Sequence, residues 1–566
     1  MMQFIVKTLA SIAILISPFI VLSQSTYLPQ GNKHQQFLNR MEILMQRNPD
    51  FNVTTVKPFN RSLAVRGVEA ADSLDKASVL HLSKVDRYNL RSFLMNNSEW
   101  VTGDTSDFYS KTSLWNTFYR TRANLVEVNE KDFFLAVNPV LQAQLSSESS
   151  YDGDRVFLNS KGVAVRGLIA KRIGFSAYIT DNQERGPSFV QERVNQFLAV
   201  PGSGFYKPFK TSATDYIDAR GSIDFGVTKY IDVQFGYDKN FIGNGYRSLF
   251  LSDFANNYLF LKLNTRIWKV NYQNIFMELT PQFKNAAGSS NQLLDKKYAA
   301  MHHLSINVTK WLNVGLFDAV IFGRRNKFDF LYLNPIIFLR AAEQQNGSHD
   351  NAIIGFDFKA NVAKRFQFYG QLMLDEFYLK EIRAGNGWWA NKFGIQAGGK
   401  YIDAFGAKNL DLQGEINLVR PFSYSHTDST ANYTHYNQPM AHPLGANFLE
   451  AIGIIRYQPH PKWQTSARLI LWRQGIDTGN SNIGVNIFKI NTTRSGEYGF
   501  DLPSGEPVNG VNLQLLVSYE IKENIFFEAS ALIRSLKTAN VNTIDKNGSV
   551  ITAGIRMNMF RREYDY

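Results

Sequence analysis

The residue types that most often carry enzyme chemistry form no catalytic pattern in this sequence. The G-x-S-x-G motif of serine hydrolases, the H-E-x-x-H motif of zinc proteases and the phosphate-binding P-loop are all absent. Asp375 and Glu376 are adjacent carboxylates, but neighbours on a strand point to opposite faces and cannot flank one glycosidic bond. We therefore predict that the chain is not an enzyme and uses no cofactor.

A metal site is the next chemistry to consider. His426, Asp428, His435 and His442 share one polar stretch, but their spacing matches no established ligand pattern. Ordinary loop polarity explains them, so we predict no metal site. The chain has no cysteine, which excludes disulfides, thiol catalysis and thiolate-bound metals.

Aromatic and arginine side chains cluster in stretches between the alternating runs. Flat rings suit stacking on sugar faces, and a guanidinium can bind carboxylate or phosphate groups through two hydrogen bonds. The alternative is that these rings pack within loops or form an interfacial girdle. The predicted glycan contacts are Trp388, Trp389, Tyr424, Tyr433, Tyr436, Arg247 and Arg420.

The elements that position these residues are predicted to be strands. In the run 258–268, Leu259, Leu261 and Leu263 fall on one parity, and Lys262 and Asn264 fall on the other. Alternate strand residues point to opposite faces, so one face is apolar and the other is charged. A soluble sandwich would bury the apolar face, whereas a membrane barrel would turn it to lipid.

Loop lengths favour the barrel. From Asp132 onward we mark about 18 candidate strands, and the links after even-numbered strands are short while most links after odd-numbered strands are long. Short periplasmic turns that alternate with long external loops are typical of outer-membrane barrels. An even strand count places both termini in the periplasm. If the last strand continued to Tyr566, this aromatic residue would fall among the alternate residues that face the polar interior. A tail or bulge is therefore expected after about Arg561.

Three regions are predicted. Residues 1–23 read as a signal peptide, with an apolar run after Lys7 and small residues before Gln24. Residues 24–130 are expected to form a small periplasmic helical region, because Phe37, Met41 and Leu44 recur at helical spacing. Residues 131–566 are expected to form the barrel.

The charge suggests acidic partners. The formal net charge of +12 favours phosphorylated lipopolysaccharide or an anionic polysaccharide. Nucleic acid is disfavoured because the basic residues are spread along the chain rather than clustered. A barrel of this kind would also contact outer-membrane lipid and the barrel-assembly machinery.

Several long motifs resemble a known family. They are FIGNGYRSLFLSDFANNY, YLNPIIFLRAAEQQNGSHDN, YGQLMLDEFYL, GWWANKFGIQAGGKYIDAF, DLQGEINLVRPFSYSHTD and HYNQPMAHPLGANFLEAIGIIRYQP. They resemble the Bacteroidota branch of the capsule-assembly Wzi-like family, which includes the gliding-motility protein RemB. The resemblance covers about residues 130–560. It implies an outer-membrane barrel with a helical bundle at the periplasmic end, a role in holding capsular polysaccharide, and a part in gliding together with gliding-motility proteins.

Two classes of function therefore remain open. The first is a non-enzymatic barrel that binds or organises surface polysaccharide, with support of gliding motility as its extension. The second is an outer-membrane diffusion channel or transporter, because charged side chains at the inward-facing strand positions suit either a pore or a salt-bridged interior.

Overall fold

The computed structural model describes residues 26–51, 54–112, 115, 117–149, 153, 155–285, 293–538 and 545–566. Within these ranges eighteen long antiparallel strands close into one barrel, which confirms the predicted fold class. In chain order, as β1 to β18, they are Phe133–Glu148, Val156–Ile169, Ile173–Arg185, Ala213–Gly226, Ile231–Asp238, Tyr258–Ile267, Val270–Leu279, Lys297–Asn307, Leu312–Phe322, Asn351–Val362, Phe366–Glu376, Lys392–Tyr401, Leu410–Val419, Phe448–His460, Trp463–Ile476, Glu506–Lys522, Ile525–Thr538 and Asp545–Met557. The predicted signal peptide, residues 1–23, lies outside the described residues.

The barrel closes between its last and first strands. β18 pairs with β1, with Val550 opposite Glu148 and Met557 opposite Leu141. All other long strands pair with their neighbours in the chain. Two short strands extend the sheet locally: Val126–Glu130 pairs with β1, and Lys207–Phe209 pairs with β4.

The alternation predicted for β6 matches the structure. Leu259 and Ile267 are exposed on the outer face, whereas Lys262 is fully buried on the inner face. The Lys262 ammonium donates a hydrogen bond to Asn240 Oδ1 at 3.0 Å, and it lies 4.7 Å from the centre of the Tyr27 ring. The set of alternate β6 residues that includes Lys262 therefore faces the barrel interior, which supplies polar partners.

The links sort by length to the two ends of the barrel, as predicted. Links at one end, which we call the mouth, include 186–212, 239–257, 323–350, 420–447 and 477–505. Links at the opposite end, which we call the base, include 170–172, 268–269, 363–365 and 461–462. Antiparallel strands need only a few residues to turn back, so the extra length at the mouth is available for other structure.

Six α-helices lie in the described part of the chain. Numbered α1 to α6, they are Gln35–Met45, Arg61–Lys76, Lys84–Met95, Ser188–Phe197, Leu339–Gln345 and Leu379–Ala384. None of the helices in the described ranges is long and apolar enough to cross a membrane.

The first three helices form a small bundle with its own core. Met41 of α1, Val68 of α2 and Phe93 of α3 are fully buried together. A capping box starts α3: the Asp86 backbone N–H donates to Ser83 Oγ, and the Ser83 backbone N–H donates to the Asp86 carboxylate. Such a box satisfies two backbone N–H groups that a helix start would otherwise leave unpaired.

The link 323–350 folds back onto the outer wall of the barrel. Tyr332 and Leu339 pack on the outward residues Phe276, Ala300 and Val320. Tyr272 donates a hydrogen bond to the Pro335 carbonyl oxygen. Part of the apolar outer wall over β6 to β9 is therefore covered by protein, which the alternation alone does not reveal.

Candidate functional site

The long links at the mouth pack into a shared core. Tyr424 and Tyr433 are each only 1% exposed. Their hydroxyls donate to the backbone oxygens of Leu249 at 2.8 Å and Phe250 at 2.6 Å. The prediction that these two tyrosines offer rings to a glycan is therefore wrong, because both rings pack inside the core that joins the links 239–257 and 420–447.

Trp388 and Trp389 form a partly exposed aromatic ledge at the mouth. The edge-to-face contacts run from Tyr378 to Trp388 at 6.0 Å and from Trp388 to Trp389 at 6.4 Å between ring centres. Trp389 continues inward to the buried Phe422 at 5.9 Å. We define the aromatic ledge as Tyr378, Trp388 and Trp389. Because it is anchored at one end and open at the other, it can present flat apolar surface without collapsing.

A neighbouring link holds the ledge in place. The Trp389 indole N–H donates to Glu497 Oε2 at 2.8 Å, and the Arg494 guanidinium lies 4.1 Å from the centre of the Trp389 ring. Sequence reasoning missed Arg494, Glu497 and Tyr378. Tyr378 shares the link 377–391 with both tryptophans, which is a signal that could have found it, but the contact between the links 377–391 and 477–505 depends on the barrel.

Arg420 and Tyr436 lie at the mouth but are partly committed to neighbouring chain. Arg420 donates to the backbone oxygens of Trp388 at 3.2 Å and Asn391 at 3.1 Å. The Tyr436 ring meets Phe283 edge-on at 5.0 Å. Arg420 therefore supports the ledge from behind, and Tyr436 keeps a half-buried ring in a different part of the mouth.

Arg247 lies inside the barrel rather than at its outer rim. It is 7% exposed, and its Nη1 is 3.0 Å from Asp565 Oδ2 and its Nε is 3.5 Å from Glu450 Oε1. Burial opposes ionisation of Asp565, but the charges of Arg247 and Arg468 outweigh it and lower the pKa of Asp565 to about 2. The predicted glycan role of Arg247 is therefore corrected: it anchors an internal segment.

That internal segment is residues 558–566, which turn back into the lumen after β18. Four of its side chains form ion pairs inside the barrel, three with strand residues and one with Arg247 of the link 239–257. Arg561 pairs with Glu528 at 2.6 Å, and Arg562 pairs with Glu184 at 3.2 Å. Glu563 pairs with Arg468 at 2.8 Å, and Asp565 pairs with Arg247 at 3.0 Å. The strand thus ends at Met557, earlier than the expected break near Arg561, because the following side chains pair with the inner wall.

Ion pairs and hydrogen bonds hold the helical bundle at the base. Lys33 lies 2.7 Å from Glu520, and Ser92 Oγ donates to Glu523 Oε1 at 2.6 Å. Arg40 joins Asp86 of its own bundle to Asp403 of the barrel, at 3.0 Å each. Burial opposes the charge on Arg40, but Asp86 and Asp411 outweigh it and raise its pKa above the ordinary value.

The histidines near the mouth bind separate partners. His435 Nδ1 accepts the Thr280 backbone N–H at 3.0 Å, so its Nε2 N–H donates to the Asn257 carbonyl oxygen at 3.0 Å. His442 Nε2 lies 2.7 Å from Glu450. Among the described residues no group of three or more His, Cys, Asp or Glu side chains is arranged to hold a metal ion.

Comparison with known proteins gives a fold relationship. No protein-family model matches the chain, and no curated protein sequence is significantly similar. The structure resembles Wzi, an outer-membrane protein involved in group 1 capsule assembly in Escherichia coli and described as a carbohydrate-binding β-barrel. The two are 13% identical, with a TM-score of 0.53 over 92% of this chain and 98% of Wzi. At this identity the likeness establishes the fold alone.

Two Pseudomonas aeruginosa barrels score lower. OprD is 10% identical with a TM-score of 0.40, over 74% of this chain and 94% of OprD. OccK8 is 8% identical with a TM-score of 0.41, over 74% of this chain and 97% of OccK8. These scores are too low to support an argument about function.

Proposed function

We propose that this chain is a non-enzymatic outer-membrane barrel that holds anionic surface polysaccharide or lipopolysaccharide at its mouth. The observation that carries the proposal is a barrel with an apolar outer wall, a lumen partly occupied by the segment 558–566, and a ledge of partly exposed aromatic rings at the mouth. The carbohydrate-binding described for Wzi, which has the same fold, supports the same class of ligand.

Membrane insertion is supported by the outer wall. Ile217, Leu145, Ile416 and Ile551 are each at least 60% exposed and lie on four different strands. A soluble monomer rarely exposes contiguous apolar surface of this extent, because each square ångström costs about 25 cal/mol in water. In a bilayer the same belt faces lipid.

Orientation follows from the two ends. Long external loops and short periplasmic turns are typical of such barrels, so we place the mouth outside the cell and the base with its helical bundle in the periplasm. β1 then begins and β18 ends on the periplasmic side, but the predicted periplasmic C-terminus is corrected: the segment 558–566 turns into the lumen and brings the Tyr566 ring to 5.3 Å from Phe254 of a mouth link. Residues 24–130 are the periplasmic region and residues 131–566 the barrel in this proposal.

The ledge is the proposed glycan contact. Trp388 and Trp389 are half-buried, and the guanidinium of Arg494, which is paired with Glu497, lies over the Trp389 ring. A ring stacked on a sugar removes apolar surface from water on both partners, which contributes on the order of 1–2 kcal/mol. Arg420 and Tyr436 remain at the mouth as further contacts. Tyr424, Tyr433 and Arg247 are left out because they are buried.

A diffusion channel is the competing function. The ion pairs of the segment 558–566 and the bundle at the base both oppose it, since each occupies part of the path through the barrel. Purified protein in a planar lipid bilayer should therefore show no steady conductance at neutral pH. Stable stepwise currents in that experiment would favour the channel.

Support of gliding motility is the narrower proposal. It rests on the sequence resemblance to the Bacteroidota branch that includes RemB, with gliding-motility proteins as partners. A deletion strain should lose surface polysaccharide retention, and its spreading on agar should fall with it. Normal polysaccharide retention together with lost spreading would instead support a direct motility role.

A further inference from the structure

A cavity of about 440 Å3 lies in the lumen, between α1, the link 239–257 and the segment 558–566. This volume falls within the roughly 300–1,000 Å3 of small-molecule sites. In the described chain its wall contains eleven Lys or Arg side chains and only four Asp or Glu side chains. Such an excess of buried positive charge is costly unless an anion balances it.

Most of these cations are balanced by the protein. Arg220 pairs with Asp218 at 2.7 Å, and Arg468 pairs with Glu563 at 2.8 Å. Three cations near the base are not balanced in this way. Among the described residues none of the three has a carboxylate within 4.0 Å. They are Lys57, Lys400 and Arg456, which we call the basic floor.

Within the described residues, each cation of the basic floor donates its hydrogen bonds to a neutral oxygen, and Lys57 and Lys400 also lie over the rings of Phe241 and Tyr369. Lys57 Nζ donates to the Gly243 carbonyl oxygen at 2.9 Å, and Lys400 Nζ donates to Gln367 Oε1 at 2.9 Å. Arg456 Nη1 donates to Gln413 Oε1 at 3.0 Å. An ammonium has three N–H groups and a guanidinium has five, so most of the donors in this group are not used by these bonds.

The nearest carboxylates are committed to other cations. Glu42 lies 2.6 Å from Lys359, and Asp411 binds Arg40. Lys400 is repelled by both Lys57 and Arg456. Burial, with the charge of Lys359 added, lowers the pKa of Lys57 to about 8. Glu42 attracts Lys57 and Lys400, and Asp411 attracts Arg456, but among the described residues neither carboxylate lies within 4.0 Å of a basic-floor cation. The basic floor is therefore a cluster of like charges without an ion pair of its own.

Neutral polar groups complete the wall. Gln36 and Asn39 of α1 and Gln464 of β15 line the same cavity with side-chain amides. Amides can donate to and accept from hydroxyl groups. We propose that the basic floor binds a polar small molecule that carries a phosphate or carboxylate group, with its hydroxyls toward these amides.

This site is separate from the aromatic ledge, which lies at the opposite end of the barrel. It also lies between α1 and the strands β12 and β14, so a bound anion would join the helical bundle to the barrel wall. The inference does not depend on the proposed glycan role, and either can fail alone.

Isothermal titration calorimetry on the full-length folded barrel tests the inference. The probes are glucose 6-phosphate, galacturonate, inorganic phosphate and uncharged glucose. At least one of the two anionic sugars should bind and glucose should not, and the stronger anionic sugar identifies phosphate or carboxylate as the preferred group. Binding of inorganic phosphate alone would overturn the proposal that a polar molecule fills the cavity.

Two sets of variants locate the binding. Lys400→Gln with Arg456→Gln should weaken binding at least tenfold, whereas Lys364→Gln with Lys408→Gln removes the same charge from exposed base turns and should leave it unchanged. If the first pair fails to fold, as judged by heat-modifiable mobility, Lys57→Gln replaces it, because Lys57 lies outside the barrel strands. No binding of any anion, or unchanged binding in the basic-floor variants, would overturn the inference.

Discussion

Arg247 and Asp565 meet inside the barrel, with 3.0 Å between Nη1 and Oδ2. Arg247 belongs to the link 239–257, which enters from the mouth, and Asp565 belongs to the segment 558–566, which enters from the base. Tyr246 also donates its hydroxyl to Asp565. One buried ion pair therefore joins the two chain segments that fill the lumen from opposite ends.

Asp565→Asn should destabilise the folded barrel by about 3 kcal/mol, because breaking a buried pair leaves the other charge uncompensated. The measurement is the free energy of unfolding in urea, followed by tryptophan fluorescence. Lys546→Gln is the matched control, since its pair with Glu192 is more than half exposed and should contribute less than about 1 kcal/mol. Equal losses in the two variants would mean that the internal pair does not anchor the segment.

The facing of the strands gives a second prediction. Ile551 is 64% exposed on the outer wall, whereas the hydroxyl of Thr552 lies 2.7 Å from that of Ser146 on the inner face. Ile551→Arg should reduce assembly into membranes, because charge facing lipid at the midplane costs about 2–4 kcal/mol. Thr552→Arg should assemble better than Ile551→Arg. The readout is the fraction of heat-modifiable protein in the membrane, and the reverse order would contradict the assigned faces.

His435 gives a pH prediction. Burial, followed by the repulsion of Lys297, lowers the pKa of His435 to about 4, so the folded state keeps this ring neutral. Below the ordinary pKa of about 6.5 the unfolded chain takes up a proton that the folded chain does not. Stability should therefore fall between about pH 6.5 and 4, by roughly 3 kcal/mol in total.

The melting temperature of the folded barrel at pH 7.5 and pH 5 measures this effect. His435→Gln should reduce the difference between the two temperatures, and the exposed His349→Gln should keep it. A difference that is the same in both variants would show that other groups account for the acid sensitivity.

Much of the fold could be predicted because it follows from local patterns. Alternation in β6 separates Leu259 from Lys262, and the short turns at 268–269 and 461–462 fix antiparallel neighbours. The capping box at Ser83 likewise depends on residues three apart. Each of these signals is complete within a few residues of chain.

The site was less predictable because it depends on distant contacts. Tyr433 and Trp389 are both aromatic residues in long links, but Tyr433 lies under Phe250 and Trp389 lies beside Glu497. Nothing in the local sequence tells a core ring from a ledge ring. The same holds for Arg247, whose partner Asp565 is more than 300 residues away along the chain.

The central claim is that the aromatic ledge binds glycan, and it is tested most directly by measuring the glycan affinity of a double variant of the ledge. Trp388→Ala with Trp389→Ala removes two stacking faces, and each 1.4 kcal/mol lost weakens binding tenfold. The control is Trp268→Ala with Trp311→Ala, which removes two tryptophans from the base. Both pairs should give heat-modifiable, folded barrels.

The assay is binding of the cell's own surface polysaccharide to the immobilised folded protein. We predict at least a tenfold lower affinity for the ledge pair and an unchanged affinity for the base pair. Unchanged affinity in the folded ledge pair would contradict a glycan site on the ledge.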